Sequence, residues 1–154
     1  MTKLKQRFNL LAPAVISVVV VLNFTACSKD SSDNLFVFTA FLNGTSALPP
    51  NAETSTGSCN VTYDSIANEL VYTIRWKDLT GTPTAINFQQ PAVDPPGFTN
   101  ATVPGFPSES SASTSGTITI DQEHEADLLN NKFYLNISTS AYADGEIRGQ
   151  LEQQ

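Results

Sequence analysis

From residue 35 onward, apolar and polar residues alternate in short stretches that are separated by turn residues. The first stretch runs from Phe36 to Leu42, has an apolar side chain at every second position, and ends at Asn43-Gly44. A repeat of two residues is typical of a β-strand with one buried face. The pattern predicts seven strands, at residues 36–42, 57–64, 69–76, 84–89, 116–120, 132–138 and 145–151.

A single short helix is predicted between two of these strands. Asp121 is suited to be its N-cap, Gln122 and Glu123 would form the first turn, and the helix would end near Leu129. About seven strands with one short helix predict an all-β fold, an immunoglobulin-like or related Greek-key β-sandwich. Strands 57–64 and 69–76 are close enough in sequence to form a hairpin.

The segment from residue 90 to 115 breaks the alternation and is rich in Pro, Gly, Ser and Thr. It is predicted to be a long loop, and loops of this length in compact domains are often functional. Phe98, Val103 and Phe106 are spaced through it. Two interpretations stay open: these side chains pin the loop to the core, or they are exposed contacts of a binding loop.

The N-terminal residues 1–26 are predicted to be an export signal. Lys3, Lys5 and Arg7 precede an apolar run from residue 10 to 22, which is too short for a comfortable membrane span. The following Phe24-Thr25-Ala26-Cys27 resembles the lipobox of bacterial lipoproteins, in which the cysteine is acylated and becomes the first mature residue. The alternative is an ordinary secretory signal with an incidental Cys27.

Two further segments follow the signal. Residues 27–34 are polar and without period, and they are predicted to be a flexible tether. Residues 35–154 are predicted to be one β-sandwich domain. We therefore expect an exported protein, anchored by lipid to the bacterial outer membrane and facing either the periplasm or the cell surface.

Charge narrows the range of partners. The chain of 154 residues has 15 acidic and 8 basic side chains, and removal of residues 1–26 takes three basic residues with it. The remaining formal charge of −10 excludes a nucleic-acid binder that works by neutralising phosphates. The expected partners are a membrane, reached through the N-terminal anchor, and an unknown protein or glycan, and we expect a monomer.

The sequence offers few groups for catalysis or metal binding. Cys59 has no intramolecular partner once Cys27 is acylated, and the alternation around it predicts a buried structural thiol. His124 is the single histidine and lies in an acidic stretch that is predicted to be a solvated helix face, so that only a weak surface metal site is conceivable there. We therefore predict no catalytic residues, no metal and no cofactor.

The last segment of the chain carries a specific resemblance. The run Gly145-Glu146-Ile147-Arg148-Gly149-Gln150-Leu151, preceded by Phe133-Tyr134-Leu135-Asn136-Ile137-Ser138-Thr139, resembles the ending of the CHRD domain, first described in chordin. The beginning is also similar, with Leu42-Asn43-Gly44, Leu48-Pro49-Pro50 and Thr56-Gly57. The resemblance spans about residues 36–152 and implies an immunoglobulin-like β-barrel that is distantly similar to copper–zinc superoxide dismutases.

The departures from that family concern histidines. Many members carry Ala-His-Ile-His on the fourth strand and a further His before Thr on the penultimate strand. The matching positions here are Ile86, Phe88 and Ser138, and Ala47 stands where the family has Glu before Pro-Pro. Because imidazole is the usual ligand of zinc and copper, the resemblance implies no dismutase-like metal site in this chain.

Three functions are compared on this basis. The first is a non-catalytic, lipid-anchored module that binds a protein or glycan at the cell envelope. The second is a metal-dependent oxidoreductase, disfavoured by the missing histidines, and the third is a purely structural envelope protein. Glu146 and Arg148 are placed on one face of the last strand, as an ion pair or cross-strand partners, or else as part of a partner-binding edge.

Overall fold

A computed structural model describes residues 31–91 and 98–154 of the chain. Residues 1–30, which include the predicted signal and Cys27, lie outside the described part. The described strands are β1 (Leu35–Asn43), β2 (Thr56–Asp64), β3 (Glu69–Lys77), β4 (Pro83–Gln90), β5 (Phe98–Thr102), β6 (Ala112–Thr119), β7 (Tyr134–Thr139), β8 (Ile147–Gln150) and β9 (Glu152–Gln153). The one α-helix, α1, spans Glu125–Leu129, and 3₁₀ helices span Ser31–Asn34, Gly44–Ser46 and Gln122–His124.

All strand pairs are antiparallel and connect into one sheet. Its order is β5-β4-β7-β8-β1-β2-β3-β6, and β9 pairs with β1. The predicted hairpin is confirmed, since β2 and β3 pair over their whole length from Thr56↔Lys77 to Asp64↔Glu69. The ladder between β1 and β8 holds a single pair, Asn43↔Arg148, so two well-paired groups of four strands meet at a narrow junction.

The inner sides of both groups share one hydrophobic core. Tyr72 of β3 and Phe88 of β4 lie far apart in the strand order, yet their ring centroids are 5.9 Å apart. The sheet must therefore curl over so that one face encloses the apolar side chains. This core contains the strand residues that the alternation predicts to be buried, including Phe38, Cys59 and Ile74, and it also contains Trp76 and Leu79.

The predicted fold class is confirmed at the level of an all-β fold, but the strand count is wrong. Nine strands are described instead of about seven. One additional strand, β5, lies inside the segment 90–115 that is predicted to be loop, and β6 starts at Ala112 instead of residue 116. The final predicted strand divides into β8 and the two-residue β9, which pairs with β1.

The N-terminal boundary also differs from the prediction. Ser31–Asn34, assigned by sequence to the tether, form a 3₁₀ helix. The carbonyl oxygen of Asn34 accepts a hydrogen bond of 2.9 Å from the backbone N–H of Ser65, in the turn between β2 and β3. Residues 31–34 are therefore attached to that turn.

The predicted binding loop is placed mainly against the core. Val103 is buried and its N–H donates to the carbonyl oxygen of Ile86, at 2.9 Å. Phe106 is half-buried and packs on the core cluster. Phe98 begins β5, and its side chain lies outside the described part. For Val103 and Phe106 the structure therefore supports the interpretation that these side chains pin the segment to the core. It does not support the alternative that they are exposed ligand contacts.

The predicted helix is shorter than expected. Asp121 occupies the N-cap position of the 3₁₀ helix Gln122–His124, but its side chain makes no capping hydrogen bond. The α-helix follows at Glu125 and ends at Leu129, as the sequence predicts. Leu128 is the residue of this helix that is fully buried.

Candidate functional site

Glu146, in the motif that resembles the CHRD ending, is a fully buried carboxylate. Its Oε1 accepts hydrogen bonds from Ser55 Oγ at 2.7 Å and from the backbone N–H of Thr80 at 2.8 Å. Its Oε2 accepts from Thr80 Oγ1 and Thr139 Oγ1, both at 2.7 Å. Four short hydrogen bonds from three separate segments therefore satisfy a charge that has no cationic partner among the described residues.

The protonation of Glu146 follows from these contacts. Burial of the carboxylate disfavours its charged form and by itself raises the pKa. The hydrogen bonds from Thr80, Ser55 and Thr139 favour the charged form and outweigh burial, so the pKa of Glu146 is lowered below its ordinary value. Glu146 is therefore ionised at neutral pH and acts as an acceptor that joins three segments.

The predicted arrangement of Glu146 and Arg148 on one strand face is wrong. Strand β8 begins at Ile147, and Gly145 before it has a φ of 137°, a value that residues with a side chain rarely adopt. The two-residue alternation consequently does not extend back to Glu146, which is buried. Arg148 is half-buried, and its Cζ lies 3.6 Å from the centroid of the Tyr134 ring.

A polar groove covers the outer face of β4, β7 and β8. The strand register aligns Asn87 with Asn136 and Asn136 with Arg148, so that these three side chains form one row across three strands. The groove has a volume of about 540 Å³. It is lined by polar residues Asn87, Gln89, Asn136, Ser138, Asp144 and Arg148, and by Tyr134, Leu48, Ala85, Ala143 and Pro91.

The centre of the groove is held in place by its own hydrogen bonds. Asn136 is 5% exposed, and its Nδ2 donates to the carbonyl oxygen of Asp144 at 2.8 Å. A Cβ at Gly145 would collide with Asn136 Oδ1, and the φ of 137° also disfavours a residue with a side chain, so glycine suits this position. The neighbouring Asn87 Oδ1 has no hydrogen-bond partner within the described part of the chain. A buried acceptor without a partner is uncommon in proteins and is costly.

The other outer face, over β1, β2, β3 and β6, carries a second groove of about 530 Å³. Phe41, Arg75 and Lys77 are among its lining residues. The register places Phe41, Ser58 and Arg75 in one row, with the small Ser58 between the two large side chains. Phe41 is 64% exposed.

The positions matched to the family's histidines do not lie together. Ile86 and Phe88 are fully buried in the core, whereas Ser138 lines the polar groove. Side chains of a strand alternate between faces, so a shift of the match by one residue exchanges the faces. The strand geometry favours this shifted match, in which Asn87 and Gln89 are the equivalent positions and line the same groove as Ser138.

One group of residues in the described ranges has the composition of a metal site. Asp121, Glu123 and His124 have ligand atoms within 4.8 Å of one another. The Nε2 of His124 lies 3.4 Å from Glu123 Oε1, and its Nδ1 lies 3.4 Å from Gln90 Nε2. Two of the three side chains are exposed and the third is half-buried, so the group lies at the surface and apart from the polar groove.

Cys59 is placed as the sequence predicts. Its thiol is 1% exposed, and burial raises its pKa to about 12. A thiol with such a pKa is almost entirely protonated at neutral pH, and the thiolate is the reactive form. Cys59 is therefore a core residue and is poorly suited to nucleophilic catalysis.

The described part of the chain is a β-rich module with two grooves on its outer faces. Comparison with known proteins identifies its family. The family model of the CHRD domain matches residues 38–151. The chain therefore belongs to the CHRD-domain family, a β-rich module of extracellular type. No curated protein and no solved structure matches the chain.

The matched motif performs several structural tasks in this fold. Ile147 and Leu151 are core residues, both fully buried. A Cβ at Gly149 would lie 2.4 Å from the carbonyl oxygen of Phe41, so this glycine allows β8 to approach β1 closely. Gln150 Nε2 donates to the carbonyl oxygens of Asn131 and Phe133, each at 2.6 Å. Of the seven residues, Arg148 is the one that lines the groove.

Sequence reasoning identified the motif but missed the site. Alternation alone could have placed Asn87 and Gln89 on the outer face, opposite Ile86 and Phe88. The register that aligns Asn87 with Asn136 and Arg148 depends on strand pairing and has no local signal.

None of the helices in the described ranges has the length and apolar character of a membrane span.

Proposed function

We propose that this CHRD protein is a non-catalytic binding module and that the polar groove over β4, β7 and β8 binds a glycan. The observation that carries the proposal is the row of Asn87, Asn136 and Arg148 on the floor of the groove. Amide groups both donate and accept hydrogen bonds, and the guanidinium adds several fixed donors. Sugar hydroxyls also donate and accept, so they match such a surface.

Two further features support a glycan over a protein ligand. Asn87 lines the groove and is half-buried, so its amide group can exchange hydrogen bonds with a sugar hydroxyl. The apolar residues among the lining, Leu48, Ala85, Ala143 and Pro91, suit the C–H groups of a sugar ring. A protein partner usually requires larger apolar anchors in the centre of its contact.

The proposal includes export and anchoring. The basic N-terminus, the apolar run and the residues before Cys27 support an acylated Cys27 at the bacterial outer membrane, on the periplasmic side or the cell surface. We also propose that the module acts as a monomer. The two groups of four strands around one core support the finer description as an immunoglobulin-like or Greek-key sandwich.

The binding test uses the full exported protein, purified in detergent, on an oligosaccharide array that covers neutral, acidic and amino sugars. We expect selective binding that is lost or at least about tenfold weaker in Asn87→Ala and Arg148→Gln, since each removes hydrogen bonds to the ligand that contribute about 1–3 kcal/mol. Arg75→Gln is the matched control, because it removes the same charge from the opposite outer face. Binding that Arg75→Gln and Arg148→Gln weaken equally would contradict the proposed site.

Anchoring is tested separately with labelled palmitate. The protein should incorporate label and partition into detergent, and the Cys27→Ser variant should do neither. Label and detergent partitioning that persist in Cys27→Ser would contradict the lipid anchor. This experiment is independent of the groove, so that each half of the proposal can fail alone.

Two alternatives give different results in the same experiments. A metal-dependent oxidoreductase would require ligands, and the group Asp121, Glu123 and His124 is the candidate with suitable chemistry in the described ranges. Thermal shifts with added zinc or copper, compared between the natural chain and His124→Ala, test it. A purely structural protein would bind none of the arrayed glycans and would show no metal-dependent shift.

A further inference from the structure

The end of the molecule at which β1 starts carries a cluster of exposed apolar side chains. Six large hydrophobic residues are exposed in the described part of the chain, and four of them, Leu35, Val37, Ile66 and Val71, lie around the start of β1 and the turn between β2 and β3. We name these four residues the apolar corner. Ile66 at the tip of the turn is 71% exposed.

The strand register shows that these residues are neighbours. Val37 is aligned with Thr62 and Thr62 with Val71, so that the two valines lie two strand spacings apart on one outer face, roughly 10 Å. Leu35 is aligned with Asp64, at the end of β2 from which the turn with Ile66 starts. The 3₁₀ helix Ser31–Asn34 is attached to that turn through the bond from Ser65 to Asn34.

The length of chain outside the structure limits where this corner can be. Three residues separate Cys27 from Ser31. Four consecutive Cα–Cα steps extend at most about 14 Å. An acylated Cys27 would therefore hold the start of the domain within about 14 Å of the lipid headgroups.

We propose that the apolar corner rests on the lipid surface and fixes the orientation of the domain. This inference rests on the proposed acylation of Cys27, which supplies the attachment. Side chains of this kind enter the boundary between headgroups and acyl chains by about 5–10 Å. Asp33, Asp64 and Glu69 surround the corner, so the surface it fits is a zwitterionic one and not one rich in anionic lipid.

The orientation has a consequence for the rest of the molecule. Leu35 and Phe41 are six residues apart on β1, a separation of about 20 Å along the strand. The exposed Phe41 and the Glu146 contacts then lie at the end away from the membrane. The polar groove, which follows β4, β7 and β8, then extends away from the membrane. It opens to the side of the domain, where large envelope glycans can reach it.

The test measures how deeply a labelled position enters the bilayer. It uses a fluorophore on the full acylated protein in phosphatidylcholine vesicles. An environment-sensitive label is attached at Ile66→Cys or, as the matched control, at Phe41→Cys, since both positions are strongly exposed. Cys27 is consumed by acylation, and the buried Cys59 has a pKa of about 12 and is not labelled under mild conditions. Quenchers are nitroxides carried on the lipid acyl chains.

We expect quenching at position 66 to be several-fold stronger than at position 41. Adding phosphatidylglycerol should reduce quenching at position 66 because it adds electrostatic repulsion at the contact. Leu35→Asp should also reduce it because it places a charge in the contact. The mass of the protein shows whether the acyl groups are attached. If they are, equal quenching at both positions or stronger quenching at position 41 would overturn the orientation and leave the anchor intact. A mass without acyl groups would overturn the anchor and this inference with it.

Discussion

The two ends of the β1–β2–β3 group are stabilised in different ways. At the apolar corner, Asp64 Oδ1 accepts the backbone N–H of Ile66 at 2.9 Å and of Ala67 at 3.2 Å. These partners lie two and three residues away in sequence. The opposite end, where β1 finishes, is called the distal end. There Glu146 accepts hydrogen bonds from Ser55 and Thr80, which are 91 and 66 residues away.

The difference concerns how far one side chain influences the fold. Besides its own hydrogen bonds, the turn at the corner makes single backbone hydrogen bonds with Asn34 and with Ile120. A substitution of Asp64 there affects two local hydrogen bonds. The distal end is closed by one carboxylate that joins a loop, the β3–β4 connection and β7. Loss of that carboxylate leaves several donors in the interior without a partner, which is costly because water cannot replace it.

The largest effect is expected for Glu146→Ala. The change removes the acceptor of four hydrogen bonds and leaves a cavity beside Ser55 and Thr139, both fully buried or nearly so. We expect the free energy of unfolding to fall by about 3–5 kcal/mol, because four hydrogen-bond donors lose their acceptor and each buried donor without a partner costs about 1–3 kcal/mol. The measurement is urea denaturation at neutral pH.

Glu152→Ala is the control for this variant, because Glu152 is exposed on the short β9. Its free energy of unfolding should stay within about 0.5 kcal/mol of the natural chain. Equal destabilisation by Glu146→Ala and Glu152→Ala would show that the buried carboxylate is not the element that closes the distal end.

The next largest effect is expected for Gly149→Ala. The added Cβ would meet the carbonyl oxygen and carbon of Phe41 at 2.4 and 2.8 Å, so that β8 must move away from β1 at the narrow junction. Overpacking of this kind costs about 1–3 kcal/mol. The control Gly81→Ala, whose Cβ would have its nearest neighbour at 3.7 Å, should be close to neutral in thermal denaturation.

Acid should weaken the hydrogen bonds that the Glu146 carboxylate accepts. The pKa of Glu146 is lowered in the folded state by its hydrogen bonds against the effect of burial, so its contribution to stability is fully present above the pKa of the unfolded chain. That contribution is lost as pH falls through the lower folded pKa. Urea midpoints measured from pH 7 to acid pH should fall less steeply in Glu146→Gln than in the natural chain. Parallel curves would contradict the lowered pKa.

The smallest effect is expected for Asp64→Ala at the corner. It removes the acceptor of two local hydrogen bonds that are exposed to water. The expected loss is about 0.5–1 kcal/mol, as for other local side-chain caps. A loss in thermal denaturation as large as that of Glu146→Ala would remove the contrast between the two ends.

Much of the fold could be predicted because alternation identifies strands that have one buried face. The hairpin of β2 and β3 and the buried Cys59 were predicted correctly for this reason. The strand β5 was missed because its sequence shows no alternation and its pairing partner β4 lies in a separate segment. Pairing across segments has no local signal.

The site was less predictable for a related reason. Glu146 was placed on an outer face because the alternation was extended through Gly145, whose φ of 137° interrupts the strand. The hydroxyl groups of Ser55, Thr80 and Thr139 could not be identified among the many Ser and Thr of this chain. Their convergence on one carboxylate is a property of the whole fold.

Under the proposed function, the CHRD motif divides its tasks: Glu146 stabilises the fold and Arg148 contacts the glycan. The most direct measurement applies the oligosaccharide array and urea denaturation to both Glu146→Gln and Arg148→Gln. We expect Glu146→Gln to lower stability and to leave glycan binding of the folded protein unchanged, whereas Arg148→Gln should weaken glycan binding with the smaller loss of stability. Loss of binding in folded Glu146→Gln, or unchanged binding in Arg148→Gln, would overturn this division of tasks.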